Sequence, residues 1–139
     1  MNDRYLYRAK RKNWRELPKE MWWIEGYYAY FKQNDNHCIY YETDGFTLVC
    51  DIDISTLCAC TGLKDKNGKL IWENDIMVAH LDDKFPEDTT YTRVVWDNNG
   101  FCTKEQGSED ISPLDKFDQE YFEVCGNLFD NPELLEVGE

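Results

Sequence analysis

Three dipeptides that favour two-residue β-hairpin loops constrain the fold of this chain more than any other sequence feature. They are Asp44-Gly45, Asn67-Gly68 and Asn99-Gly100, and each supplies residues that tolerate a positive φ. With Asp44-Gly45 as the loop, Ile39 falls opposite Cys50, and the paired side chains form a mostly apolar face. The spacing therefore predicts a chain built largely from antiparallel hairpins.

The other two loops predict less uniform pairings. If Asn99-Gly100 is the loop, Trp96 falls opposite Thr103. If Asn67-Gly68 is the loop, Asp65 falls opposite Leu70, so one side of that short hairpin is expected to contact solvent.

Segments rich in β-branched and aromatic residues predict further strands at residues 5–9, 22–31, 75–80 and 122–125. Helix is expected only near the C-terminus, where Ser112-Pro113 and later Asn131-Pro132 each supply an N-cap followed by a first-turn proline. The predicted fold is mainly β: an N-terminal antiparallel meander over residues 1–60 leads into a small barrel or roll over residues 61–139, with one or two short helices near its end. A chain of 139 residues fits one compact unit of this kind.

Composition and charge narrow the functional classes. The sequence is 42% hydrophobic and 15% aromatic, which is enough to form a core despite a net charge of -13. Residues 1–19 carry a local charge of +5, which leaves -18 for the remainder. This asymmetry favours self-association and disfavours non-specific nucleic-acid binding. Because no apolar run approaches the roughly 20 residues of a membrane span and no signal peptide is evident, we expect a cytoplasmic protein that does not bind membranes.

The sequence contains no arrangement typical of a metal site or a catalytic centre. Cys58-Ala59-Cys60 and His37-Cys38 lack zinc-ligand spacing, and the cysteines are predicted to be buried thiols in strands. Asp65 begins a segment that resembles a calcium loop, but the glycine stands at its fourth position instead of its sixth. We therefore expect no cofactor, no metal and no enzymatic activity, and we assign no role to the acidic loop 81–88.

One surface is predicted to contact other molecules. Tryptophan, tyrosine and arginine contribute most of the binding energy at protein interfaces, and they also stack on nucleic-acid bases. Covering of both strand faces by the chain's own loops is the alternative. The candidate interaction surface consists of Arg8, Arg11, Lys12, Arg15, Trp22, Trp23, Tyr27 and Tyr28.

Several segments resemble a known family in order and spacing. Thr61-Gly62-Leu63-Lys64-Asp65-Lys66-Asn67-Gly68-Lys69, followed by Ile71-Trp72-Glu73-Asn74-Asp75-Ile76, resembles the hallmark of the YopX family, small proteins encoded by bacteriophages and prophages. Residues 7–9, 94–101 and 126–135 extend the resemblance over most of the chain. Asn74 replaces the usual glycine of the family, and asparagine is the next residue best able to adopt a positive φ.

The resemblance implies an SH3-type barrel or roll in the second half, a tendency to form homo-oligomers, and residence in a bacterial cytoplasm. It implies no activity and no site residues. Our leading expectation is a non-enzymatic module that binds a host or phage protein and assembles with itself. The alternatives are an acidic decoy that mimics DNA toward a host nucleic-acid-binding protein, and nucleic-acid binding through the basic segment from Arg4 to Lys19.

Overall fold

A computed structural model of the chain describes residues 5–80, 89–97 and 100–135. These residues form antiparallel sheets and divide into two compact units, residues 1–60 and 61–139. The prediction of a mainly β protein is confirmed. No helix within the described ranges is long and apolar enough to cross a membrane. The acidic loop 81–88 lies outside the described residues.

The first unit is an antiparallel sheet with the strand order β4-β3-β2-β1-β5. Its strands are β1 (Tyr7–Lys10), β2 (Trp23–Phe31), β3 (Asn36–Thr43), β4 (Phe46–Asp51) and the first residues of β5 (Cys58–Lys64). Short 3-10 turns lie between the strands at Trp14–Glu16, Lys19–Met21, Lys32–Asn34 and Ile54–Thr56.

The predicted Asp44-Gly45 hairpin is confirmed. Ile39 pairs with Cys50, and Thr43 pairs with Phe46. Asp44 and Gly45 have φ values of 48° and 81°, as a two-residue loop of the I′ class requires.

The core of the first unit lies on one face of this sheet. Ala9, Ile24, Ile39 and Ile52 form a buried cluster there. Gly26 lies at the closest approach between β2 and β3, because a Cβ atom at this position would overlap the Tyr40 carbonyl oxygen.

The second unit contains the rest of β5 and a five-stranded sheet with the order β10-β9-β8-β7-β11. Its elements are β6 (Leu70–Trp72), β7 (Asp75–His80), β8 (Thr89–Asp97), β9 (Gly100–Glu105), β10 (Ile111–Pro113), α1 (Lys116–Tyr121) and β11 (Glu123–Asn127). The core of the unit is a buried cluster of Ile71, Met77, Ala79, Val94 and Phe122.

The predicted register of the β8–β9 hairpin is wrong by two residues. Trp96 pairs with Phe101 instead of Thr103, and Asp97 pairs with Gly100. The Trp96 and Phe101 rings pack edge to face with centroids 4.9 Å apart, a favourable cross-strand contact that the predicted register would lose. The two intervening residues of this loop lie outside the described residues.

The turn between β5 and β6 encloses three residues, Lys66 to Gly68, between the hydrogen-bonded Asp65 and Lys69 instead of the predicted two. The Gly68 N–H donates to the Asp65 carbonyl at 3.0 Å, and the Asp65 N–H donates to the Lys69 carbonyl at 2.8 Å. Gly68 has a φ of 82°, as expected for a type I turn followed by a bulge. Asp65 is 6% exposed, whereas Lys64, Lys66 and Lys69 are exposed, so the solvent contact expected for this hairpin falls on its lysines.

The predicted helix start at Ser112-Pro113 is also wrong. These residues belong to β10, where Ser112 pairs with Thr103. Helix α1 begins after Asp115, because Asp115 and Asp118 each accept a hydrogen bond from the other's backbone N–H. This reciprocal capping box satisfies two amides at once.

Two finer predictions about the second unit are not confirmed. The predicted second helix is a single 3-10 turn at Pro132–Leu135, and α1 is the one α-helix of the described residues. None of the strand pairings within the described ranges joins β10 to β11, so closure into an SH3-type barrel is not confirmed.

Candidate interaction surface

Lys10 lies among three tryptophan rings in the first unit. Its Nζ is 3.9 Å from the ring centroid of Trp14, 4.5 Å from that of Trp22 and 5.6 Å from that of Trp23. Lys10 is only 3% exposed, and cation–π attraction strengthens when the cation is removed from water. The three rings therefore stabilise a buried ammonium group. We call Lys10, Trp14, Trp22 and Trp23 the tryptophan box.

The local structure of the chain assembles this box. Lys10 on β1 pairs with Trp23 on β2, so their side chains share a face of the sheet. Trp14 begins one 3-10 turn and Trp22 follows the next, and their rings pack edge to face with centroids 4.9 Å apart. The Trp14 indole N–H donates to Asp53 Oδ2 at 3.1 Å, which fixes that ring in place.

Three of the four basic residues in the candidate surface contact the chain itself. The Arg8 guanidinium carbon is 4.9 Å from the Trp23 ring centroid, and that of Arg15 is 4.3 Å from the Trp14 ring centroid. The Arg11 Nε donates to a backbone carbonyl at 2.9 Å. These contacts bring the predicted cations together with the tryptophans, and they occupy ring faces that a nucleic-acid base would need for stacking.

Lys12 and Arg15 line a polar groove of about 410 Å³ in the first unit. The groove also includes Asp35, His37 and Asp53. A hydrogen bond from the Ser55 hydroxyl is the main cause that lowers the pKa of Asp53. Because both cations and carboxylates line the groove, its charge does not favour a ligand of either sign.

Tyr27 and Tyr28 lie on opposite faces of β2. Tyr28 packs against the buried cluster of the first unit, and its hydroxyl lies 2.6 Å from His37 Nδ1. Burial is the main cause that raises the pKa of Tyr28. Tyr27 is exposed on the other face, so of this tyrosine pair Tyr27 is the one that is presented to solvent.

Residues missed by the sequence analysis form an apolar edge. β4 lies at the end of the sheet order of the first unit, and Phe46, Leu48 and Val49 expose 69%, 40% and 54% of their surfaces. Phe46 and Leu48 share one face, and Val49 lies on the other. The absence of any charged residue between Phe46 and Cys50 is the sequence signal that could have revealed this surface. We call residues Phe46 to Val49 the β4 edge.

The β4 edge continues across the sheet into the predicted surface. Val49 pairs with Tyr40, and Tyr40 pairs with Tyr27, so the three side chains form one cross-strand row. The Tyr40 ring also packs edge to face against Phe31 with centroids 6.3 Å apart, and Phe31 is 38% exposed. Tyr27 is thus the predicted residue that the structure joins to a larger apolar surface.

A comparison with protein families gives a match over nearly the whole chain. The sequence model of the YopX protein family matches residues 6–136. The chain belongs to the YopX family. No functionally curated protein is a significant match to this YopX-family chain.

The chain is also similar to a solved structure over nearly its whole length. The crystal structure of protein EF1440 from Enterococcus faecalis superposes with a TM-score of 0.53 at 20% sequence identity. The alignment covers 95% of this chain and 97% of EF1440. At this level of identity the similarity supports a shared fold and does not transfer a function.

Proposed function

We propose that this YopX-family chain is a non-enzymatic protein-binding module that self-assembles through the β4 edge. The observation that carries the proposal is an edge strand with exposed apolar side chains on both faces. Soluble proteins usually protect such edges with lysine, proline or a bulge. Residues Phe46 to Cys50 contain neither residue, and β4 pairs with β3 without a register shift.

The backbone of β4 supports strand addition. The Ile52 N–H donates to the His37 carbonyl at 3.0 Å, and the Lys12 N–H donates to the Asp51 carbonyl at 3.0 Å. Because hydrogen-bonding direction alternates along an antiparallel strand, the amide and carbonyl groups of Thr47 and Val49 are directed toward the open edge. A second extended strand can therefore pair there through main-chain hydrogen bonds.

The partner that we propose for this edge is a second copy of the chain. In an antiparallel pairing about a twofold axis at Val49, Val49 lies opposite Val49 of the partner subunit, and Leu48 lies opposite Cys50 of the partner subunit. The Asp51 carbonyl already accepts from the Lys12 N–H, so the pairing consists of residues 48–50 of each copy. None of these residues is charged, so no like charges face each other. Such an isologous contact is self-complementary. A host or phage protein with an extended apolar segment would pair with the same backbone groups of β4.

The contacts of the tryptophan box support protein binding over nucleic-acid binding. Arg8 and Arg15 already lie over indole rings of the chain, and the remainder of the chain is strongly acidic. Both features weaken attraction to a polyanion.

Light scattering coupled to size-exclusion chromatography tests the self-assembly. We expect the wild type to be dimeric or larger at tens of micromolar, and Val49→Lys to be monomeric with an unchanged far-ultraviolet circular dichroism spectrum. Gln33→Lys is the matched control, because Gln33 is exposed in a 3-10 turn of the same unit and the added charge is identical. A strictly monomeric wild type, or equal masses for the wild type and Val49→Lys, would refute the proposal.

A further inference from the structure

The turn between β5 and β6 contains an asparagine followed by a glycine, Asn67-Gly68. Asparagine is one of the thermolabile residues of proteins, because the backbone nitrogen of the next residue can attack its side-chain carbonyl carbon, Cγ. Apart from its chain neighbours, no atom of the described residues lies within 4 Å of the position that a Cβ atom on Gly68 would occupy. Asn67 is also exposed to water. The attacking nitrogen is therefore sterically open, and water reaches the side chain that would react.

Two hydrogen bonds engage the atoms that this reaction needs. The Gly68 N–H donates to the Asp65 carbonyl at 3.0 Å, so the attacking nitrogen is held within the turn. The nitrogen that would leave, Asn67 Nδ2, donates to Glu123 Oε2 on β11 at 2.8 Å. The reaction removes the Gly68 proton and the Asn67 side-chain nitrogen, so it loses both bonds and their stabilisation. The folded turn should therefore react more slowly than the same residues in an unstructured peptide.

The bond between Asn67 and Glu123 is one of three contacts that attach the turn to the start of β11. The Lys66 N–H donates to the Phe122 carbonyl at 3.1 Å, and the Val124 N–H donates to a turn carboxylate at 2.8 Å. These contacts fall on the consecutive residues 122–124. The Asn67 side chain thus belongs to the attachment, and a change in its chemistry acts on β11.

We propose that Asn67 is a deamidation site whose rate is controlled by the fold and whose product weakens the attachment of the turn to β11. The Gly68 nitrogen forms a bond to Asn67 Cγ, the Cγ–Nδ2 bond breaks, and Nδ2 leaves as ammonia with the proton from Gly68. Water then opens the succinimide ring to aspartate or isoaspartate. In the aspartate product a carboxylate without an N–H donor replaces the amide beside Glu123, so repulsion between like charges replaces a hydrogen bond.

Peptide-mapping mass spectrometry of the full chain during incubation in mildly alkaline buffer measures the conversion of Asn67. We expect the wild type to convert at least about tenfold more slowly than a synthetic peptide of residues 63–71, as the two hydrogen bonds predict. Equal rates in the chain and the peptide would overturn the proposal, because the fold would then exert no control. Absence of product at Asn67 after prolonged incubation would overturn it as well, because no modification would then occur.

Two variants and one control test the role of Glu123. Glu123→Ala should accelerate conversion about fivefold, because the Asn67 amide loses its charged acceptor. Glu123→Gln retains an acceptor oxygen and should accelerate conversion less. Glu120→Ala is the matched control, because Glu120 is exposed in the same unit and pairs with Lys116 of its own helix. Equal acceleration by Glu123→Ala and Glu120→Ala would contradict the assigned contact, because it would indicate a general effect of charge.

Asn67→Asp reproduces the aspartate product without the reaction and tests its effect on β11. The Val124 amide should exchange its hydrogen about threefold faster in Asn67→Asp than in Asn67→Ala, which removes the same hydrogen bond and adds no charge. Equal exchange rates in the two variants would overturn the proposed weakening of the attachment.

Discussion

Replacement of Asp65 by alanine should destabilise the second unit more than any other single substitution in the β5–β6 loop. Asp65 Oδ1 accepts hydrogen bonds from the N–H groups of Asn67 and Lys69, each at 2.9 Å. Its Oδ2 accepts a third from the Val124 N–H at 2.8 Å. The carboxylate thus closes the loop and also attaches it to β11, 59 residues along the chain.

The magnitude follows from these three hydrogen bonds. The hydrogen bond from the Val124 N–H has a charged acceptor and lies in a part-buried site. Hydrogen bonds to charged groups contribute about 1.5–3 kcal/mol to stability. The amides of Asn67 and Lys69 lie in an exposed loop, where water replaces the lost acceptor, so each contributes only about 0.5 kcal/mol. We therefore expect Asp65→Ala to lower the free energy of unfolding by about 3 kcal/mol, a large fraction of the stability of a small domain.

Native-state amide hydrogen exchange measures this effect within the second unit. The opening free energies of protected amides in β7 and β11 should fall, and the Val124 amide should exchange fastest relative to the wild type. Asp65→Asn should be intermediate, because its amide oxygen still accepts from the loop while its NH₂ group faces the Val124 N–H. Asp97→Ala is the control, since Asp97 is exposed on β8 and the lost charge is the same.

Two results would refute this reasoning. Opening free energies that change by less than about 1 kcal/mol in Asp65→Ala would show that these hydrogen bonds add little net stability. An equal effect of Asp97→Ala would show that removal of one negative charge, and not loss of the three bonds, causes the change.

The remaining predictions concern a buried cation and a buried acid. Lys10→Met keeps the side-chain length and removes the cation–π contacts of the tryptophan box, so we expect urea denaturation to show a loss of about 2 kcal/mol; an effect equal to that of the exposed control Lys12→Met would contradict it. Burial raises the pKa of Asp118, so its stabilising contribution is present below its unfolded pKa of about 3.9 and is lost as pH rises through the folded pKa. Relative to wild type, Asp118→Asn should therefore gain unfolding free energy between about pH 3 and pH 7, and an unchanged difference in urea denaturation would refute this.

Local sequence signals predicted hairpins well where the loop alone decides the register. Asp44-Gly45 is flanked by strands whose pairing follows directly from a two-residue loop. At Asn67-Gly68 the same kind of dipeptide gives a three-residue loop, because the Asp65 carboxylate binds the amides of the loop itself. The β8–β9 register depends on the Trp96–Phe101 contact, which a turn dipeptide does not encode.

The sequence indicated part of the spatial arrangement of the candidate residues. The sequence indicated that Arg8, Arg15, Trp22 and Trp23 would lie near one another, and the structure places them around a common box. It did not indicate that Lys10 would lie among the rings, because the residues of the box come from two strands and two separate turns. The alternation of side chains along β4 also did not reveal that the β4 edge is exposed. A half-apolar strand has the same sequence pattern at the edge of a sheet as in its centre.

The sequence by itself determined the mainly β class, the Asp44-Gly45 hairpin and the family, because these depend on turn residues, β propensity and motif order within short segments. Only the tertiary structure decided which apolar side chains are buried and which cations lie against aromatic rings. These properties depend on strand order and on contacts between residues far apart in the chain. The Asp65 to Val124 hydrogen bond is of this kind: the motif specifies the aspartate, and the fold supplies its partner.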